Sequence, residues 1–427
     1  MHRRDFVAYL ASATAMSTDS LVRLNSDIYR SIERLNRSQQ QDSPDGAYWE
    51  ALRRHFIMQE DLIMMNNGTL GPMPEPVFNT VVQYFKVQAT NPYDCYNFLP
   101  SKKNEIRARL ARFINADADE VAINRNTTEG MNVVANGIDF QAGDEVIISS
   151  QEHPAGYYPW KVQEKRHGIK IVEVPLGVPP KDKDEIINAF AGAITPRTRV
   201  ISVSHTVYIT GLIFPIKELS EIAHQHGIFM VADSAHGIGM LDLNMHDLGV
   251  DAFASSPYKW CGAPAGCGLF YVRRESQDRL WPTIASSGWD TEQSAARFET
   301  LGQRADPLIF GLGEAMDFQN RIGRGRIQRR ILALAAHLKD GLKGIPRVRL
   351  HTSEDPSLSA GLVAFSVEGV SPDNLVNYLR EKYNIVIRTI GRDRDDTRGV
   401  RVSTPIFVTM EHVDLVLEGV DHVARRA

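Results

Sequence analysis

Between residues 121 and 274 short apolar runs alternate with longer segments whose apolar residues fall at helical spacing. The runs are VAI (121–123), DEVIISS (144–150), KIVEV (170–174), RVISVSH (199–205), IFMVAD (228–233), DAFASS (251–256) and GLFYVRR (268–274). Helical segments start at Thr128, after Pro154, near 183 and near 216. Strands buried on both faces read as continuous apolar runs, and parallel pairing needs long crossovers, which helices supply. The alternation predicts an α/β fold, with a mostly parallel sheet flanked by helices.

After about residue 306 the pattern changes. Two long helical stretches lead into shorter runs at LVAFSV (362–367), IVIRT (385–389) and GVRVST (399–404), which predict a smaller C-terminal α/β domain. The expected organisation is an N-terminal segment (1–46), a large domain (47–320) and a small domain (321–427). At 43% hydrophobic and 23% charged residues, the chain can bury a full core, which argues against a disordered or collagen-like protein. Its 48 Lys+Arg against 52 Asp+Glu leave a net charge of -4 and no electrostatic case for nucleic acid. No run approaches the roughly 18 apolar residues of a membrane span. Cys95, Cys261 and Cys267 imply no disulfide framework, and the CGAPAGC spacing does not suit a zinc ribbon, so no metal is expected. The arginine-rich run RIGRGRIQRR (321–330) reads as a solvated or interface face of a helix.

The first residues read MHRRDFVAYLASATAMS, with Arg3 and Arg4, a short apolar stretch, then Ala13-Thr14-Ala15. That order resembles a twin-arginine signal, and a periplasmic, exported protein is the slightly favoured expectation. The alternative is a cytoplasmic protein whose first turns belong to an amphipathic helix continuing through Leu21, Leu24, Ile28, Ile32 and Leu35.

Ligands of such sheets sit beyond the carboxyl ends of the strands. The polar residues at those ends form a coherent set. Asn126-Thr127-Thr128-Glu129-Gly130 opens a helix, where hydroxyls and free N–H groups suit a phosphate; an ordinary N-cap is the other reading. Asp233 ends IFMVAD, with His236 three residues on. A carboxylate on a buried strand needs a cation or hydrogen bonds, and a protonated pyridine nitrogen would serve. Lys259 lies in Ser256-Pro257-Tyr258-Lys259-Trp260, ahead of Gly262, Gly266 and Gly268. Enclosure would lower its pKa and make it a nucleophilic amine, whereas a lysine reaching solvent would stay charged. His153 follows DEVIISS and offers an imidazole for stacking or acid–base work. Together these match what a protein contributes to a pyridoxal 5′-phosphate site.

From about Tyr48 to the C-terminus the sequence resembles the class V aminotransferase family of pyridoxal phosphate enzymes, nearest its isopenicillin N epimerase-like branch. The motifs are NNGTLGP (66–72), NTTEGMN (126–132), QEHP (151–154), SHTVYITGLIFPI (204–216), VADSAHGIG (231–239), SSPYKWCGAPAGCG (255–268) and VRVSTP (400–405). The resemblance implies fold type I, an amino-acid substrate and a homodimer with active sites at the interface. It implies that Lys259 bonds the cofactor aldehyde and moves protons at the substrate α-carbon. Asp233 would pair with the pyridine nitrogen, His236 would lie near the 3-hydroxyl, and His153 would stack on the ring. Thr127, Thr128, Ser256 and Tyr258 are the implied phosphate ligands. Arg401, with Arg388 as a second candidate, is implied to take the substrate α-carboxylate, a bidentate task that suits arginine.

Several positions depart from the family pattern. Desulfurase branches carry a reactive cysteine where this chain has TIGRDRDDTRGV (389–400), which argues against desulfuration through a persulfide. Tyr208 stands where Asn is common, Tyr258 where His is, Gly302-Gln303 where Gly-Thr is, and Phe407-Val408 where Tyr-Asn is. The expected chemistry is epimerisation or elimination at the α-carbon, with transamination and a non-catalytic cofactor-binding relative as alternatives. Epimerisation needs proton return on the opposite face, for which Tyr258, Tyr208 or another second-face base are candidates. GRDRDDTRGVR (391–401) reads as a loop over the substrate entrance.

Overall fold

The structure, a computed structural model, describes residues 18–38, 46–391 and 397–427. Arg3, Arg4 and the expected export signal lie outside the described residues, as do residues 392–396 of the charged segment. Among the described residues no helix is long and apolar enough to cross a membrane.

In chain order the strands are β1 (Ile63–Met64), β2 (Val121–Ala122), β3 (Glu145–Ser149), β4 (Lys170–Val174), β5 (Thr198–Ser204), β6 (Phe229–Asp233), β7 (Ala252–Ser255), β8 (Leu269–Val272), β9 (Val348–Leu350), β10 (Leu362–Val367), β11 (Ile385–Val386), β12 (Arg388–Ile390) and β13 (Gly399–Ser403). Each of the seven apolar runs becomes one strand of the large sheet, whose order is β2-β8-β7-β6-β5-β3-β4. All its pairings are parallel except the two made by β8. This is the α/β architecture that the alternation predicts. Successive side chains of a strand point to opposite faces. Val146 and Ile148 of β3 therefore pack with Phe140 and Trp160, while Ile147 joins Ile186 and Phe190 on the other side. Burying each such aliphatic side chain contributes roughly 1.5–3 kcal/mol. β4 closes the sheet as a half-exposed edge, with Lys170 and Glu173 in solvent.

A second, antiparallel sheet has the order β12-β13-β10-β9. Its apolar cluster draws on both ends of the chain: Ile28, Ile32, Trp49 and Leu52 share it with Leu334, Val363, Val402 and Val416. β1 pairs in parallel with β11, Ile63 beside Ile385. Residues 48–65 thus pack with the small sheet, although the sequence places them in the large domain. The arginine-rich run helps to hold this segment and the helix Thr18–Ser38 there. Arg321 stacks on Tyr29, Arg326 on Tyr48 at 3.7 Å, and Arg330 lies 5.4 Å from the Trp49 ring.

Strand order also locates the functional crevice. β3 leads outward to β4, whereas β5, β6 and β7 follow on its other side. The order therefore reverses between β3 and β5, and the crevice at their carboxyl ends is where such sheets bind ligands.

Candidate active site

Asp233 ends β6, and Lys259 follows β7, the next strand in the sheet. The Asp233 carboxyl is buried; Oδ1 accepts from the Ala235 N–H at 3.1 Å, and Oδ2 has no hydrogen-bond partner among the described residues. Burial pushes this acid up, against the pull of the Ala235 N–H and of Lys259. An unsatisfied buried oxygen is costly, so the site is built for a donor supplied by a ligand. The Lys259 side chain keeps some exposed surface, but its amine lies among protein atoms. Burial lowers its pKa from 10.5 to about 8; Asp233 opposes the change, and Arg401 and Arg388 add to it. Lys259 Nζ is 3.4 Å from His236 Nε2. His236 is itself held well below the usual imidazole range, first by burial and then by the Lys259 charge.

Two arginines come from the small sheet. Arg388 on β12 and Arg401 on β13 are cross-strand partners. Arg401 is 1% exposed; one terminal nitrogen donates to the Tyr208 carbonyl at 2.5 Å and the other to Asn66 Oδ1 at 3.1 Å. Its Nε is buried with no hydrogen-bond partner, while Arg388 donates to the Thr389 carbonyl at 3.2 Å and to Thr69 Oγ1 at 3.4 Å. Burial and the neighbouring Arg388 lower the Arg401 pKa to about 9.

The phosphate-side residues divide. Ser256 Oγ accepts from the Thr127 N–H at 3.1 Å and lies 2.8 Å from Thr127 Oγ1, so these two meet at the start of helix Thr127–Gly137. Asn126 caps that helix by accepting the Glu129 N–H at 3.0 Å. Thr128 points outward into a cleft of about 460 Å³ that Arg125, Asn132 and Thr283 also line. Tyr258 is tied in through its carbonyl, which accepts the Gly71 N–H at 3.0 Å. His153 caps helix Pro154–His167, its Nδ1 accepting from the Ala155 N–H at 3.0 Å, and its ring meets Tyr208 edge to face at 4.7 Å.

The structure adds residues that the sequence reading did not single out. Glu152, wholly buried, accepts from Ser149 Oγ, the Ser204 N–H at 3.1 Å and Ser204 Oγ at 2.7 Å. Burial raises its pKa from 4.5 to about 7, the hydroxyls oppose that, and Asp233 adds to it. Asn67 Nδ2 donates to the Lys259 carbonyl at 2.6 Å, and Trp260 donates to His236. The NNGT and QEHP motifs contained the signal, but only as part of a pattern.

A profile of the family described as Aminotransferase class-V matches residues 65–416. The chain belongs to this family of pyridoxal phosphate enzymes. It is 30% identical over 392 residues to an isopenicillin N epimerase of Streptomyces clavuligerus, covering 88% of this chain and 98% of that relative. It is 27% identical to a probable cysteine desulfurase of Methanothermobacter thermautotrophicus, over 88% of this chain and 98% of the relative. Among solved structures, the cysteine desulfurase CsdA of Escherichia coli superposes with a TM-score of 0.79 at 24% identity, over 90% of this chain and all of that one, which establishes the shared fold. The class V cofactor is pyridoxal 5′-phosphate, and the residues present fit it. Asp233 Oδ2 is a buried acceptor awaiting a donor, Lys259 is an amine of lowered pKa, and Thr127 with Ser256 stands at a helix N-terminus suited to phosphate.

Proposed function

We propose that this chain acts at the α-carbon of an amino acid, by epimerisation or elimination, as a homodimer. When bound, the cofactor supplies an electron sink for the bond that breaks at that carbon. Lys259, the amine of lowered pKa, would be the residue that holds the cofactor through its aldehyde and would move the proton at the substrate α-carbon. Asp233, whose Oδ2 lacks a donor, would accept from the pyridine N–H, and His236 and His153 would help to hold the ring. Thr127, Ser256 and Tyr258 would hold the phosphate; Thr128, whose side chain faces the outer cleft, would contribute through its backbone N–H at the helix N-terminus. Arg401, assisted by Arg388, takes the α-carboxylate. The observation that carries this reading is the pair of guanidiniums on neighbouring strands, Arg401 with a buried Nε that has no partner, joined to the Lys259 segment through Asn66 and Asn67.

Likeness to an isopenicillin N epimerase favours epimerase or lyase chemistry, although desulfurases also stand among the relatives. Desulfuration through a persulfide needs an accessible thiolate. Cys95, Cys261 and Cys267 are all buried, and burial pushes the Cys267 thiol up to about 12 and Cys261 higher still.

Incubating amino acids with the enzyme in deuterated water tests the reaction. Solvent deuterium at the α-carbon with the D-isomer accumulating is the result expected for an epimerase, and ammonia with a keto acid and no amino acceptor is that for a lyase. A strict requirement for a keto-acid acceptor would replace both with transamination. Absence of exchange across amino acids would overturn catalysis at that carbon.

A further inference from the structure

Trp260 directly follows Lys259, and its indole N–H donates to His236 Nδ1 at 3.1 Å. Indole nitrogen only donates, so Nδ1 offers its lone pair and the imidazole proton resides on Nε2. That proton faces Lys259 Nζ at 3.4 Å. An ammonium there has no lone pair and would set N–H against N–H, whereas a free amine accepts the Nε2 proton as a hydrogen bond. The other tautomer would suit the ammonium but would turn an N–H onto the indole. We propose that Trp260 is a positioning residue which, by fixing His236 as its Nε2–H tautomer, favours the uncharged Lys259 amine that bonds the cofactor.

The indole is held firmly enough to do this. Its residue is 5% exposed, and its backbone carbonyl accepts from Gln319 Nε2 at 3.1 Å. Its six-membered ring lies against Gly361, where a Cβ would stand 3.0 Å from Cη2. Charging His236 would break the indole bond, and burial, Lys259, Arg401, His153 and Arg388 all oppose that charge. Asp233 favours the ammonium of Lys259 and so acts against the tautomer. The inference rests on Lys259 as the cofactor-bonding amine, and not on which reaction follows.

The test uses full-length protein carrying ¹⁵N-histidine, as purified and after removal of pyridoxal 5′-phosphate, with H236Q to assign the His236 signals. Wild-type His236 is expected to show the Nε2–H pattern from roughly pH 6 to 9. W260F keeps an aromatic ring and loses the donor. It is expected to shift His236 toward Nδ1–H and to raise the pH midpoint for recapture of pyridoxal 5′-phosphate by about one unit, slowing recapture about tenfold at neutral pH. Finding wild-type His236 as Nδ1–H or imidazolium would overturn the proposal even if W260F failed to fold. So would a folded W260F with unchanged tautomer and midpoint. A borohydride label absent from Lys259 would instead remove the cofactor assignment, so the two failures are separable.

Discussion

Arg401 and Arg388 sit side by side on neighbouring strands, and Arg388 raises the cost of the Arg401 charge. A substrate carboxylate would relieve both, and the planar fork of Arg401 suits a two-point bond that a lysine ammonium cannot make. R401K should therefore raise KM by about tenfold to a hundredfold with a smaller change in kcat, measured by steady-state kinetics; an unchanged KM would remove Arg401 from substrate binding. Glu152 gives a pH prediction. Its carboxyl pKa is raised on folding from 4.5 to about 7, so the folded chain holds its proton more tightly across that window. Stability then falls as pH rises from 4.5 to 7, by about 3 kcal/mol at most. E152Q, uncharged throughout, should lose that slope in thermal melts, and parallel wild-type and variant curves would refute it. Lys259 and Asp233 were legible in the sequence because a charged residue at the end of an apolar run is conspicuous. Glu152 was not, because its partners Ser149 and Ser204 come from two different strands.

At the scale of elements, the loop formed by residues 66–72 positions both halves of the site. Its Gly68 N–H donates to Ser403 Oγ at 3.1 Å, and a Cβ on Gly68 would lie 2.7 Å from a terminal nitrogen of Arg401. Gly71 is tighter still, since a Cβ there would stand 2.2 Å from the Lys259 carbonyl oxygen, a backbone atom that cannot swing aside. G71A should displace the lysine segment, cost about 1–3 kcal/mol of stability and weaken pyridoxal 5′-phosphate binding in an absorbance titration. Wild-type affinity in that variant would contradict the role of the loop. The long apolar runs declared their strands because buried parallel strands carry no polar face. IVIRT declared strand but not its division: it splits into β11 and β12, with Ile387 between them, and β11 pairs with β1 more than 300 residues earlier. Pairing between two-residue strands leaves no periodicity to read.

The molecule as a whole joins an amine and an acid from the large sheet to two arginines of the small one through the loop 66–72. Neither sheet carries the site alone, and the clusters explain why the two stay in register. Trp260 of the lysine loop belongs to the same apolar cluster as Val363 and Val402 of the small sheet, and Gly361 receives its ring. The parallel sheet and its strand-end residues were legible from the sequence. The return of residues 48–65 to the small sheet was not, because chain order does not say which core a helix will cover. The central claim is that this assembly keeps Lys259 uncharged often enough to bond the cofactor. Borohydride reduction of the purified protein, followed by peptide mass mapping, tests it most directly. The expected result is loss of the yellow absorbance with one reduced pyridoxyl group on Lys259; a label on another lysine, or none, would contradict it.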